Sequence, residues 1–432
     1  MKPSYTLLVM VFTLGAAAQA QVAPAKTGPA GLPVSGTLNF NLRYSQTAQV
    51  SGSEDGQQWS IVSGDAGYTN TSKRLPFSMQ YGGGYGGVWS GPSSDGNVFQ
   101  HLALTQGFVE RRWSLTAGDN VSYSFETPTT GFSGVPGSGE PIGVSGSTTL
   151  SDQSVLTQNT CSVDNTTTAA FGRILSPAMS LNVGGSAGQL RYVGGNGEDT
   201  DTLTGSAGLT RRLSARASLS GQYLFSRYNY GGAGFVSIAG TAPLQFIQTN
   251  SVQLGYTRQW NRQITTSLAA GPQWISSSNS VVVPSSTNAF VSASIGDKFR
   301  LGSASLSYSH GVTGGSGYMP GAESDNASGN FSRNFGRNLT IGLTGTYMRT
   351  YSLSSFYIHD IAGKTNAKYG EAQATRRLGR HFNVFANYTA IDQSSNLQIS
   401  LLGYNAGNVI NGLNQVIGFG IGYTPRPVHL RK

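Results

Sequence analysis

The stretch Leu339-Thr-Ile-Gly-Leu-Thr-Gly-Thr-Tyr347 decides the fold, because its side chains alternate between two chemical characters. Leu339, Ile341, Leu343 and Tyr347 share one parity, and the residues between them are Thr and Gly. A period of two is typical of a β-strand with one apolar and one polar face. The polar face has few long charged side chains, which favours a wet lumen over a fully solvated surface.

The same alternation recurs around Leu219–Phe225, Val252–Tyr256 and Ala304–Tyr308, and short basic turns separate the alternating segments. Most steps between successive turns hold two strands of about 10–12 residues, one short turn and one longer loop. The basic residues of these turns are Lys73, Arg74, Arg111, Arg112, Arg173, Arg211, Arg212, Arg258, Arg262, Lys298, Arg300, Arg333, Arg337, Arg376, Arg377 and Arg380.

The repeat predicts a single closed antiparallel transmembrane β-barrel. Unpaired backbone groups in hydrocarbon cost several kcal/mol each, so a sheet in a membrane cannot keep an open edge. Eight basic turns account for sixteen strands, and segments near Gly36–Ser45 and Gln415–Thr424 bring the count to eighteen. Sixteen strands is the alternative, because 58–70 and 164–172 alternate poorly.

The composition agrees with a barrel that has lipid outside and water inside. Charged residues make up 11% of the 432 residues, against about 25% in a soluble domain. Glycine is frequent, at 59 residues, and aromatic residues reach 10%, too many for a disordered chain. Moderate apolar content with many small polar residues and aromatics is the mixture that such a barrel needs.

The chain ends suggest export and a simple domain plan. Residues 1–20 read as a cleaved signal peptide, with an apolar stretch that is too short for a membrane helix and the small-x-small site Ala18-Gln19-Ala20. We therefore expect a signal peptide at 1–20, a flexible periplasmic leader at 21–35, the barrel at 36–424 and a short periplasmic tail at 425–432. The net charge is +9, but the basic residues are spaced rather than clustered on helices, which argues against nucleic-acid binding.

The last strand resembles the C-terminal insertion signal of bacterial outer-membrane barrels of the porin-like kind. Ile417, Phe419, Ile421 and Tyr423 alternate and end on an aromatic residue, although the chain continues to Lys432. This resemblance implies residence in the outer membrane of a Gram-negative bacterium, contact with outer-membrane lipid and recognition by the barrel-assembly machinery. The basic turns also resemble, more loosely, barrels that occur with exopolysaccharide-export systems.

The unequal connections predict an orientation and a function. Short turns of such barrels face the periplasm and long loops face outside, so the basic turns form a periplasmic rim. A barrel of this size leaves an aqueous channel, which indicates passive diffusion of small hydrophilic or acidic solutes. We expect a mild anion preference, because acidic outer loops oppose a basic ring that lines the pore. That ring consists of Arg211, Arg212, Arg258, Arg333, Arg376 and Arg377. The longest segment, 127–163, is predicted either to narrow the pore, bringing Glu140 and Asp152 to the mouth, or to be an exposed mobile loop.

Two other functions stay open at this point. A non-pore barrel could belong to a polysaccharide export or assembly system, with the basic rim meeting a periplasmic partner. A barrel hydrolase would need a catalytic histidine, for which His101 and His310 are the candidates. No cofactor motif, metal-ligand spacing or catalytic set is present in the sequence, so no cofactor and no enzymatic activity are expected.

Overall fold

The computed structural model describes residues 36–51, 58–70, 72–90, 97–126, 160–193, 199–231, 243–316, 319–354, 363–395 and 412–430. The predictions of a signal peptide and a leader lie outside these residues, as does most of the segment 127–163. In the described part of the chain, no helix is long and apolar enough to cross a membrane.

The chain is a succession of β-strands. The first nine are β1 (Gly36–Ser51), β2 (Gln58–Asn70), β3 (Phe77–Ser90), β4 (Asn97–Val109), β5 (Trp113–Glu126), β6 (Thr160–Ser176), β7 (Met179–Val193), β8 (Thr200–Ser214) and β9 (Ala217–Tyr230). The next nine are β10 (Phe246–Gln259), β11 (Ile264–Ser277), β12 (Ser286–Phe299), β13 (Gly302–Ser316), β14 (Met319–Phe335), β15 (Leu339–Ser352), β16 (Lys364–Leu378), β17 (Phe382–Ser395) and β18 (Gly412–Tyr423). A three-residue β19 (Val428–Leu430) follows.

The sheet closes on itself. Each strand from β1 to β18 pairs antiparallel with the next, and β1 also pairs with β18, for example Leu42 with Tyr423 and Tyr44 with Ile421. Closure gives every wall strand a partner on both sides, which a membrane requires. The expectation of an eighteen-stranded barrel is confirmed, and the two poorly alternating segments are the regular strands β2 and β6.

The two faces of the wall carry the chemistry expected of them. On β15, Leu343 and Tyr347 point outward and are exposed, while Thr344 and Thr346 point inward. The cross-strand register carries this parity around the barrel, so that Leu254 on β10 and Leu268 on β11 are also outward and exposed. An exposed apolar belt on a closed barrel is the surface that lipid covers, which places the protein in the outer membrane.

One carboxylate interrupts the apolar belt. Asp119 lies on the outward face of β5, opposite Leu104, yet it is buried. Its Oδ1 accepts hydrogen bonds from Thr167 Oγ1 at 2.8 Å and from Asn165 Nδ2 at 3.3 Å. Because an unpaired carboxylate in hydrocarbon is costly, these outward polar side chains of β6 explain how the position is tolerated.

The short turns depend on glycine at two positions. Gly336 and Gly379 have φ values of +65° and +77° in the turns that follow β14 and β16. Residues with a Cβ enter this left-handed region at a cost of roughly 1–2 kcal/mol. The sequence pattern of a basic strand end followed by Gly-Arg therefore encodes the reversal itself.

The C-terminal tail is partly ordered as a strand. After Tyr423 the chain continues, and β19 pairs antiparallel with the start of β1, joining Gly36 to Leu430 and Leu38 to Val428. The tail thus extends the pairing of β1 below the end of β18. The residues that follow the final aromatic residue of β18 therefore provide the partner for the lower part of β1.

Gly379→Ala should lower the free energy of unfolding by about 1–2 kcal/mol, because alanine is strained at this φ. Urea unfolding of the refolded barrel measures the effect. Gly370→Ala is the matched control, since Gly370 has no positive φ and no atom within 4 Å of the added Cβ. An equal loss in both variants would contradict the role given to the turn.

Candidate functional site: the barrel interior

The size of the barrel leaves a wide interior. Strands about 4.8 Å apart and tilted about 40° give an eighteen-stranded wall a backbone radius of about 18 Å. Inward side chains of the wall reach only part of that distance. Side chains of the wall therefore leave the centre of the barrel open, and a narrow constriction requires a segment of chain that leaves the wall and enters the interior.

Small hydroxyl side chains cover much of the inner wall. Ser186 and Thr204 hydrogen-bond at 2.6 Å, and Ser307 and Ser328 at 2.7 Å, each pair joining neighbouring strands. Ser267 and Ser294 make the same contact at 2.7 Å. A lining of short neutral polar groups is compatible with water and offers few strong binding positions to a passing solute.

A polar cluster faces the interior from β1, β2 and β4. Arg43 lies 3.8 Å from Asp65 Oδ2, which also accepts a 3.4 Å hydrogen bond from Asn41. A Cβ on Gly82 would lie 2.7 Å from Asp65 Oδ1 and 3.0 Å from His101 Nδ1. Glycine at position 82 therefore leaves the space in which these two side chains approach each other.

The glycine-rich segment of β3 is a regular strand, and it lies between the strands that carry Asp65 and His101. The register places Gly82 opposite Asp65 and His101, and Gly84 opposite Phe99. A Cβ on Gly84 would lie 2.5 Å from the Phe99 ring. Phe99 packs with Trp59 and Ile61 in a buried inward cluster, so the missing side chains of β3 make room for those of its neighbours.

The hairpin tip formed by the ends of β13 and β14 bends away from the wall. Pairing between β12 and β13 stops at Val291 and His310, although both strands continue beyond it. Pairing between β14 and β15 continues to Ala322 and Ser352, and β13 and β14 pair with each other as far as Ser316 and Met319. The tip, residues 311–316 and 319–323, is thus paired with the wall on one side only. We call it the infolded hairpin.

The infolded hairpin packs against the inner faces of β9, β10 and β11. Val312 joins a buried cluster with Tyr228, Ile247 and Ile275, all of which point inward. Tyr230 Oη donates a 2.8 Å hydrogen bond to the Gly314 carbonyl. These contacts bring backbone into the interior near its extracellular end, where side chains of the wall alone would leave it wide.

His310 and two carboxylates hold the base of the infolded hairpin. His310 Nδ1 lies 2.9 Å from Asp325 Oδ1, and its Nε2 lies 3.2 Å from Glu323 Oε1. Glu323 Oε2 also accepts a 3.0 Å hydrogen bond from Asn288 Nδ2 on β12. With both ring nitrogens engaged by carboxylates, His310 has no nitrogen left to activate a hydroxyl nucleophile, which disfavours the hydrolase hypothesis for this residue.

The predicted basic rim divides between the two faces of the wall. All of its turns lie at one end of the barrel, and Arg216 and Arg426 join them there. Strand alternation points Arg212, Lys298 and Arg377 inward. It points the following arginines outward: Arg173, Arg211, Arg258, Arg333 and Arg376. The assumption that Arg211, Arg258, Arg333 and Arg376 line the pore therefore does not fit this alternation.

The remaining predicted site residues are those of the insertion signal and of the predicted constriction loop. Ile417, Phe419, Ile421 and Tyr423 all lie on the outward face of β18 and are exposed. Glu140 and Asp152 lie outside the described residues. Among the described residues, no group of three His, Cys, Asp or Glu side chains is arranged to hold a metal ion.

Sequence reasoning missed the infolded hairpin, because 312–322 reads as a Gly-rich loop. A signal was present elsewhere in the sequence. Tyr228, Ile247 and Ile275 are apolar side chains on the parity that is otherwise polar, near the ends of three successive strands. Apolar residues on a wet face indicate that something packs on them.

Closure, an exposed apolar belt and a polar interior together define the molecule. The chain is an outer-membrane β-barrel of porin-like architecture. No protein-family model and no curated protein sequence matches it.

Several solved structures have a similar shape. OccK5 (OpdH) of Pseudomonas aeruginosa is 11% identical with a TM-score of 0.47, over 92% of this chain and 100% of that one. OccK2 (OpdF) of Pseudomonas aeruginosa in complex with glucuronate is 10% identical with a TM-score of 0.45, over 91% and 98%. Acinetobacter baumannii OccAB4 is 9% identical with a TM-score of 0.44, over 92% and 99%. Similarity at this level identifies neither a family nor a solute for this chain.

Ile247→Ala should loosen the infolded hairpin, because it removes a fully buried side chain beneath Val312. The loss of packing should cost about 2–5 kcal/mol locally and make single-channel current in a planar bilayer larger or noisier. Leu254→Ala is the control, since Leu254 is on the same strand and faces lipid. Unchanged current in Ile247→Ala protein would contradict a narrowing role for the hairpin.

Proposed function

We propose that the protein is a passive diffusion channel for small hydrophilic solutes. The observation that carries this proposal is the combination of an eighteen-stranded wall with an inner face of short hydroxyl side chains. A wall of this circumference surrounds more space than its own side chains fill. The infolded hairpin then acts as the element that limits solute size.

A mild anion preference is the second part of the proposal. Lys298, Arg212 and Arg377 point inward at the periplasmic mouth. Farther up the interior, Asp65, Asp164 and Glu371 point inward with the opposite charge. Selectivity follows the charges that line the path, so a positive entrance with a mixed interior favours anions only weakly.

The conductance of refolded protein in a planar bilayer tests the channel itself. Stable ohmic steps support an open pore. Protein that is folded, shown by urea unfolding, and yet carries no current would overturn the proposal.

Two adjacent arginine pairs provide a matched test of selectivity. In Arg211–Arg212 and Arg376–Arg377, the first residue points outward and the second inward at the same height. Arg212→Gln with Arg377→Gln should shift the reversal potential in a salt gradient toward cation permeability. Arg211→Gln with Arg376→Gln removes the same charge and should leave the reversal potential unchanged. Equal shifts in both double variants would show that lining charge does not set the preference.

A second candidate function rests on the charge at the periplasmic end. Among the described residues there, the carboxylates are Glu110 and Asp297, against a full ring of Lys and Arg. Such a surface suits an acidic periplasmic partner or an acidic polysaccharide passing through an export system. Co-purification of a periplasmic protein that is released by salt, from a barrel without conductance, would favour this candidate over the channel.

A further inference from the structure

Five arginines form a collar on the outer surface of the barrel at its periplasmic end. They lie on β6, β8, β10, β14 and β16, and all five are exposed. The outer arginine collar consists of Arg173, Arg211, Arg258, Arg333 and Arg376. Their strand positions put them at the lower edge of the apolar belt, where lipid headgroups meet the protein.

No carboxylate of the described chain neutralises the collar. None of its arginines takes part in an ion pair within 4.0 Å between described residues. The carboxylates at this end are Glu110, in the turn after β4, and Asp297, on the outward face of β12, where the series of arginines is interrupted. The guanidinium groups of the collar are therefore available to anions from outside the protein.

Two outward cations at the opposite end are paired with carboxylates. Arg191 lies 3.8 Å from Asp199 Oδ2 and also pairs with Asp201. Lys368 Nζ lies 3.0 Å from Asp392 Oδ2. These two cations are neutralised within the protein, whereas Arg227, outward at the same end, donates a 2.9 Å hydrogen bond to Asn229 Oδ1 and lies 4.0 Å from the Phe246 ring centroid. The collar differs from that end in that none of its five members is paired with a carboxylate of the described residues.

Two arginines of the collar pack their guanidinium groups against aromatic rings. The Arg258 guanidinium lies 4.0 Å from the Trp260 ring centroid, and the Arg333 guanidinium lies 5.1 Å from that of Phe335. Trp260 Nε1 donates a 3.0 Å hydrogen bond to Thr266 Oγ1, which fixes the indole on the outer surface. Trp residues of this kind lie at headgroup level in membranes, and the planar guanidinium fork matches the oxygens of a phosphate.

We propose that the outer arginine collar binds the phosphate groups of anionic phospholipids in the periplasmic leaflet. The best-formed position is the one between Arg258 and Trp260. The guanidinium binds the phosphodiester and the indole packs against the upper part of the lipid. This lipid selectivity does not depend on whether the barrel conducts.

Brominated lipids test the proposal, because bromine quenches the fluorescence of a tryptophan that it touches. Protein with Trp260 as its single tryptophan is folded into phosphatidylcholine vesicles containing either brominated phosphatidylglycerol or brominated phosphatidylcholine. One interfacial cation contributes about 1 kcal/mol, so quenching at Trp260 should show an about fivefold preference for phosphatidylglycerol. A single-tryptophan protein with Trp274, outward at the other end of β11, should show no preference.

Two variants locate the effect. Arg258→Gln should abolish the preference at Trp260, and Arg262→Gln, which removes the same charge from the tip of the same turn, should preserve it. Equal quenching by both lipids in the parent, or equal losses in both variants, would overturn the assigned position. Should the single-tryptophan proteins fail to fold, retention of phosphatidylglycerol over phosphatidylcholine by the unaltered protein in native mass spectrometry replaces the quenching measurement, and equal retention would overturn the proposal.

Discussion

Backbone N–H and C=O groups inside hydrocarbon have no water to bond, so every strand that crosses a membrane must be paired on both edges. The pairing of β1 with both β2 and β18 meets this requirement. From closure follow a circumference, an apolar outside and an enclosed wet inside. The short glycine turns at Gly336 and Gly379 and the tail strand β19 serve the same pairing at its lower edge.

The infolded hairpin leaves the wall on the side of β12 and stays paired with the wall on the side of β15. β14 keeps its pairing with β15 to Ala322, while the upper part of β13 leaves β12. Its backbone pairs within the hairpin and with β15, the edge that left β12 is bonded in part by Gln273 and Tyr230, and its apolar side chain Val312 is covered by inward residues of β9 to β11. The same combination of backbone pairing and apolar burial that builds a globular core therefore operates inside a water-lined barrel.

The fold was predictable because the same alternation repeats in most of the strands, and the short basic turns mark where successive strands reverse. The identity of the side chains that line the interior was less predictable. Odd and even positions of a strand face opposite sides, but near a turn the two sides can be assigned only when the end of the strand is known. Arg211 and Arg212 illustrate this point, since adjacent residues in one basic turn point to opposite faces. The infolded hairpin depends on contacts between β13 and strands that are distant in sequence, which no local pattern encodes. The placement of Glu140 and Asp152 stays a prediction.

Thiol labelling along β15 tests the account most directly. In a Cys161→Ser background, single cysteines are placed at the outward positions 343 and 347 and at the inward positions 344 and 346. A membrane-impermeant maleimide applied to protein in vesicles should label positions 344 and 346 and spare positions 343 and 347. Labelling at all four positions, or at the outward pair alone, would contradict a barrel with a lipid-covered outer face and a water-filled interior.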